Sequence, residues 1–227
     1  MSRCWPHPIK AILFDNDGTF LDTMGVFIEA MNNAIGQPMT QEFINRVNGM
    51  ETNKVSKEAI LEYRLNLSLD EFNQKRDFLL CDLLLDCKPF SGVVELAKNF
   101  KNNGYKIGLA TSDTYQKTKI KFSKKPDVWP VFDVVMTRDD VKQAKPDPEI
   151  FLKCAKRLGI NDPANVLVFE DAVNGIKAAN SAGMASAFFA NGNSDCEKYF
   201  EKYGGSPSYI FQKYEDFDMS KFIWYHN

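Results

Sequence analysis

Ile9-Lys10-Ala11-Ile12-Leu13-Phe14-Asp15-Asn16-Asp17-Gly18-Thr19 is the stretch whose reading decides the fold. It runs from a short apolar segment straight into two carboxylates and a glycine. Ile9 to Phe14 is continuous rather than alternating, which is how a strand covered on both faces looks. The same kind of segment recurs at Tyr105–Ala110, Asp133–Met136, Val166–Phe169 and Ala185–Ala190, with a further candidate at Tyr209–Phe211. Helical patterns lie between them. Ser91 is placed to cap a helix carrying Val93, Val94, Ala97 and Phe100, which Gly104 would stop. Asp147 and Pro148 suit the N-cap and first position of a helix running through Phe151, Leu152, Ala155 and Leu158 to Gly159. Another helix is expected from just after Asp171 to Gly183. Strands alternating with helices predict an α/β fold: a doubly wound parallel sheet with helices on both faces.

Between Thr23 and Cys87 this rhythm breaks, and helical patterns appear without a convincing strand. Helices are expected over Gly25–Ile35 and Thr52–Leu67. A third follows Ser68-x-x-Glu71, a capping box ahead of Phe72, Leu79, Leu80, Leu83 and Leu84. The reading is an inserted α-helical cap domain at 23–87, with the catalytic core made of 8–22 and 88–227. The ends, Met1 to His7 and Trp224 to Asn227, are expected outside the core, with Phe217, Phe222, Trp224 and Tyr225 packing back on the sheet.

Composition narrows the chemistry. The chain has 227 residues, 44% hydrophobic and 26% charged, with a formal net charge of -2. That balance argues against a nucleic-acid partner. No apolar run approaches the roughly 18 residues of a membrane span, and the N-terminus lacks the apolar stretch of a secretory signal. Five scattered cysteines without a C-x-x-C pair fit a reducing compartment. The expectation is a soluble cytoplasmic monomer. The two histidines, His7 and His226, sit near the chain ends, which disfavours a Ser-His-Asp triad or a histidine-rich zinc site. The densest basic stretch, Lys117, Lys119, Lys121, Lys124 and Lys125, reads as a solvated helix face and loop.

Asp15 and Asp17 follow the first predicted strand, and ligands of open α/β sheets bind outside the carboxyl ends of strands. Thr111 and Ser112 follow the second strand, Lys145 precedes a helix start, and Glu170-Asp171 follows Val166–Phe169. Singly, each has an ordinary explanation as a turn, a helix cap or a surface charge. Their common place on the sheet edge is what those explanations leave out. Together they suit phosphoryl transfer. A carboxylate can take the phosphoryl group covalently. Mg²⁺ wants oxygen ligands, which Asp15, Asp17, Glu170 and Asp171 supply. Lysine, hydroxyls and backbone N–H groups meet the charge on the transferring oxygens. A second aspartate can protonate the leaving alkoxide and later deprotonate water.

Four motifs in order, FDNDGT at 14–19, LATS at 109–112, KPDP at 145–148 and FEDAVNGIKAANSAGM at 169–184, resemble the haloacid dehalogenase superfamily of phosphohydrolases. The resemblance spans nearly the whole chain and implies a small helical cap. It implies Asp15 as nucleophile, Asp17 as general acid/base, Thr111 with Ser112 and Lys145 on the phosphate, and Asp171 as a metal ligand. Glu170 is implied as a direct or water-mediated metal contact, and Asp17 as a ligand through its backbone carbonyl. The cofactor implied is Mg²⁺ and the partner a small-molecule phosphate ester. Asp17-Gly18-Thr19 points to phosphoryl rather than dehalogenase chemistry. The text around KPDPEIFLKCAKRLGI looks most like pseudouridine-5'-phosphatases and small-sugar phosphatases.

Two other readings stay open. A phosphomutase resembling β-phosphoglucomutase would carry a histidine where Phe27 stands and an arginine in the loop around Gly49, which reads Asn48-Gly49-Met50-Glu51-Thr52. A non-catalytic phosphate-ligand-binding protein would be expected to have lost some of Asp15, Asp17, Lys145 and Asp171, and all four are present. Departures from the pattern are Asn16, where an apolar residue is usual, and Asp113, read as a helix cap or a selectivity element. Asp22 is read as a turn or cap residue or a substrate contact. Gly49, Met50, Glu51 and Asn53 are candidate substrate contacts.

Overall fold

The structure is a computed structural model that describes residues 5–47 and 52–225. The chain divides into two compact units, one made of the chain up to Asp22 and from Lys88 onward, the other of Thr23–Cys87.

The first unit is built on a six-stranded, wholly parallel sheet in the order β4-β3-β2-β5-β6-β7. In chain order, β1 is Pro8–Ile9, β2 Ala11–Phe14, β3 Lys106–Ala110, β4 Val134–Met136, β5 Val166–Glu170, β6 Ala185–Phe189, β7 Tyr209–Phe211 and β8 Ile223–Trp224. Each residue of β2, β5 and β6 is buried, as continuous apolar strands require when both faces are covered.

Among the described residues the second unit holds four helices: α1 Thr23–Ile35, α2 Gln41–Val47, α3 Thr52–Glu62 and α4 Leu69–Asp86. It has its own core, made by Met31, Ala34, Phe43, Val55, Ala59 and Phe72 among others. The capping box is formed as expected. The Ser68 side chain accepts from the Glu71 N–H, and the Ser68 N–H donates to Glu71 Oε2 at 2.8 Å. The expected helix over Thr52–Leu67 stops at Glu62, and α2 is an element the pattern had not revealed. Gly49, Met50 and Glu51 lie outside the described residues. Asn53 lies on α3, where its Oδ1 accepts from Asn73 Nδ2 at 3.0 Å.

In the first unit follow α5 Val93–Asn102, α6 Tyr115–Phe122, α7 Glu149–Arg157, α8 Val173–Ser181 and α9 Cys196–Tyr203. Side chains alternate across β2. Ala11 and Leu13 join Ile150, Phe151, Cys154 and Ala155 of α7 and Ala178 and Ala179 of α8 in one core layer. Phe14, from the opposite face, stacks on Phe169, which meets Phe100 of α5. That second layer is strongly aromatic. Phe217, Phe211 and Tyr214 surround Phe169, and Phe217 and Phe222 are buried as expected, whereas Tyr225 is exposed. Trp224 is not outside the core as expected: β8 pairs in parallel with β1, and Trp224 stacks on Phe100.

Three helix starts differ from expectation. Gly92, at φ +78°, is the N-cap of α5, while the Ser91 hydroxyl donates to Glu215 Oε1 at 2.5 Å. Helix α7 begins at Glu149 after Pro148, with Asp147 Oδ1 accepting from the Glu149 N–H at 2.9 Å. Asp113 does not cap α6, because Thr114 does so by accepting from the Lys117 N–H. Among the described residues no helix is long and apolar enough to cross a membrane.

Candidate active site

Strands β3, β2 and β5 are neighbours in the middle of the sheet, and their carboxyl ends deliver the acidic and hydroxyl groups. Order reverses here, with β3 on one side of β2 and β5 on the other, which opens a crevice above the strand ends. Asp15 is the first residue past β2, and its N–H donates to Phe169 O at 3.0 Å. Glu170 closes β5. Thr111 follows β3, and its N–H donates to Met136 O at 3.0 Å.

Two glycines let the backbone come this close. Gly18 has φ +81°, and a Cβ there would lie 2.2 Å from Asp171 Oδ2. A Cβ on Gly175 would lie 1.7 Å from Glu170 Oε1. The chain therefore packs backbone directly on two acidic side chains, as only glycine allows.

Lys145 ties the acids together. Its Nζ donates to Asp15 Oδ1 at 2.5 Å, Glu170 Oε1 at 2.9 Å and the Ala110 carbonyl at 3.0 Å. Glu170 Oε2 accepts from the Asp171 and Ala172 N–H groups at 2.9 and 2.8 Å. Thr19 Oγ1 donates to Asp171 Oδ1 at 2.7 Å. The Tyr214 hydroxyl, buried beneath, donates to the Thr19 carbonyl at 2.8 Å and fixes that turn.

One oxygen each from Asp15, Glu170 and Asp171 falls within a 4.8 Å group. Burial pushes the Asp15 carboxyl well up, with Glu170 and Asp171 adding to the rise against the pull of Lys145. Burial and Glu170 push Asp171 up to about 7. Burial alone would lower the Lys145 ammonium, but Asp15 and Glu170 hold it above the ordinary lysine range. Two buried carboxylates and a half-buried one thus face one ammonium. A hard divalent cation fits this surplus of oxygen donors and negative charge.

The Asp17 side chain is not in that group. Its Oδ1 accepts from Lys121 Nζ, which also donates to Asp113 Oδ2. Its Oδ2 accepts from Asn16 Nδ2 at 3.2 Å. The Lys121 side chain is only 5% exposed. Burial opposes its charge, but Asp17 and Asp113 outweigh that and raise it above the ordinary lysine range.

Asp15, Lys145, Glu170 and Asp171 are therefore brought together, and Asp17 stands one turn away with its own partners. Thr111 is buried, its Oγ1 accepting from the Asp113 N–H at 3.1 Å, whereas Ser112 is exposed. The Asp22 N–H donates to the Lys88 carbonyl at 2.8 Å. Lys121 is the residue that the sequence reading missed, since a solvated face was expected there. The signal was present: Lys121 shares a helical stripe with Thr118 and Phe122, and all three are buried.

Comparison with known proteins follows the same lines. A family model described as haloacid dehalogenase-like hydrolase matches residues 12–189. A phosphorylated carbohydrates phosphatase of Thermotoga maritima is 32% identical over 183 residues, covering 78% of this chain and 82% of that protein. A Saccharomyces cerevisiae protein described as a probable pseudouridine-5'-phosphatase is 29% identical over 191 residues, covering 78% and 81%. A crystal structure from Thermotoga maritima assigned as a β-phosphoglucomutase superposes with a TM-score of 0.77 at 27% identity, covering 91% of this chain and 96% of that one.

Proposed function

The chain belongs to the haloacid dehalogenase-like hydrolase family, as a phosphatase of phosphorylated small metabolites, and we propose that it is a Mg²⁺-dependent phosphomonoester hydrolase working through an aspartyl-phosphate on Asp15. The observation that carries the reading is buried Asp15 held at 2.5 Å by Lys145 inside an acidic group at the strand ends. Asp15 is the nucleophile. Lys145 keeps it oriented and offers a positive charge to the incoming phosphoryl oxygens. Thr111 and Ser112 complete the phosphate contacts. Mg²⁺ held by Asp15, Asp171 and Glu170, with the Asp17 backbone carbonyl, would neutralise the phosphate and the surplus acidic charge. Asp17 gives a proton to the leaving oxygen and later takes one from the attacking water. The helical unit Thr23–Cys87 takes the part of the family's small cap, which selects substrate.

The substrate class is a nucleotide-like or sugar phosphate, with pseudouridine-5'-phosphate among the candidates. Relatives named for phosphorylated carbohydrates and for pseudouridine-5'-phosphate support this range. The test is phosphate release from a panel containing pseudouridine-5'-phosphate, nucleoside monophosphates, hexose phosphates and glycerol phosphate. Release from none of them contradicts the reading.

A second reading, a sugar phosphomutase, draws support from the β-phosphoglucomutase likeness. Against it, Phe27 stands where the mutase histidine would be and packs into the core of the helical unit. Conversion of a hexose 1-phosphate to its 6-phosphate without free phosphate would favour the mutase.

A further inference from the structure

The Asp17 side chain lies outside the acidic group of Asp15, Glu170 and Asp171 and has contacts of its own. Asp17 sits on the turn after β2, where a short side chain has rotational freedom. Its two carboxylate oxygens nonetheless have separate donors, Lys121 Nζ on Oδ1 and Asn16 Nδ2 on Oδ2. Lys121 comes from α6 and is itself held by Asp113. The sequence bears a cost for this arrangement. Asn16 is wholly buried, and its Oδ1 has no hydrogen-bond partner among the described residues. A buried ammonium is likewise unfavourable unless paired.

We propose that Asn16, Lys121 and Asp113 form a clamp that positions the Asp17 carboxyl for proton transfer to the leaving oxygen and from the attacking water. The proposal rests on the hydrolase reading above. In the first step a bond forms between an Asp15 oxygen and phosphorus as the bond from phosphorus to the leaving oxygen breaks. The electron pair stays on that oxygen, which takes the proton of Asp17. In the second step water attacks the aspartyl-phosphate, its proton goes to Asp17, and the Asp15 carboxylate is restored. Proton transfer needs the donor within about 2.6–3.2 Å of its target. Locking both Asp17 oxygens leaves the carboxyl one orientation. Lys121, Asn16 and Asp113 are positioning residues, acting through Asp17.

A positioning role has a kinetic signature that a structural one lacks. Help from a general acid matters for a poor leaving group and little for a good one. The experiment measures kcat/KM with Mg²⁺ for a series of esters from p-nitrophenyl phosphate to simple alkyl phosphates. Wild type, Lys121→Met, Lys121→Arg, Asn16→Ala and Asp17→Asn are compared. Lys121→Met is expected to lose about 10–100-fold on alkyl esters and less than about threefold on p-nitrophenyl phosphate, a part of what a general acid supplies. Lys121→Arg should recover most of that loss. Added to Asp17→Asn, Lys121→Met should cost nothing further on alkyl esters, because the two changes remove the same function. Equal losses across the series, or no loss, would overturn the clamp. Should Lys121→Met not fold, Asn16→Ala carries the same comparison. If the wild type shows no Asp15-dependent release, the hydrolase reading falls and the clamp with it. If the wild type turns over and every variant keeps its leaving-group dependence, the clamp alone falls.

Discussion

At the scale of single residues, Lys145 has the most to hold in place. Its side chain is 6% exposed and pairs with two carboxylates that are themselves buried. Lys145→Met would leave Asp15, Glu170 and Asp171 facing one another without compensation. Removing one partner of a buried charge pair costs about 3–5 kcal/mol, so urea unfolding of the metal-free variant should show a loss of that order. Steady-state kinetics should show kcat lower by about 10²–10³-fold, as for other lost donors to a transferring group. Wild-type stability together with wild-type kcat would contradict the assigned contacts. At this scale much was legible beforehand. Asp15, Lys145, Glu170 and Asp171 stand next to strand ends or a helix start, and position on the sheet edge follows once the strands are read. Lys121 was not legible in the same way. It sits among Lys117, Lys119, Lys124 and Lys125, and its partners Asp17 and Asp113 come from two different strand ends. Only the fold makes them neighbours.

At the scale of elements, glycine marks where helix meets active acid. Gly175 lies in α8 with its backbone against Glu170, and an added Cβ would fall 1.7 Å from Oε1. Gly175→Ala must move either α8 or Glu170. The expected result is about 1–3 kcal/mol of lost stability from overpacking, with weaker Mg²⁺ activation. Chemical denaturation and a Mg²⁺ titration of activity measure the two, and an unchanged variant would contradict the close approach. In the helical unit, Ser68→Ala removes the capping box and should cost ~1 kcal/mol, read in the same denaturation experiment. The six strands of the large sheet were readable to within a residue or two because each is short, apolar and bounded by polar turns, whereas the two-residue β1 and β8 were not. Helix ends were less so. Ser91 is a good cap by residue type, yet Gly92 adopts the left-handed backbone there and frees the serine for Glu215. Helix α2, over Gln41–Val47, has only Phe43, Ile44 and Val47 to mark a period, whereas Cys196, Tyr199, Phe200 and Tyr203 of α9 do recur at helical spacing and went unread.

At the scale of the whole molecule, the acidic group couples stability to pH and to metal. Burial raises Asp15 and Asp171 above their unfolded values, Asp171 to about 7. The folded metal-free protein therefore holds more protons than the unfolded chain between about pH 4 and pH 7. By linkage these two groups make stability fall as pH rises through that window. Mg²⁺ competes with those protons, so its stabilising effect runs the other way. The rise in Tm on adding Mg²⁺ should be larger at pH 8 than at pH 5, and Asp171→Asn should abolish most of the difference. An equal rise at both pH values would contradict the assignment of the group.

The most direct test of the central claim is phosphate release from a panel of small phosphomonoesters, with and without Mg²⁺, by wild type and Asp15→Asn. The account predicts Mg²⁺-dependent release by the wild type that disappears in Asp15→Asn. Release by Asp15→Asn at the wild-type rate, or none by the wild type from any ester, would contradict it.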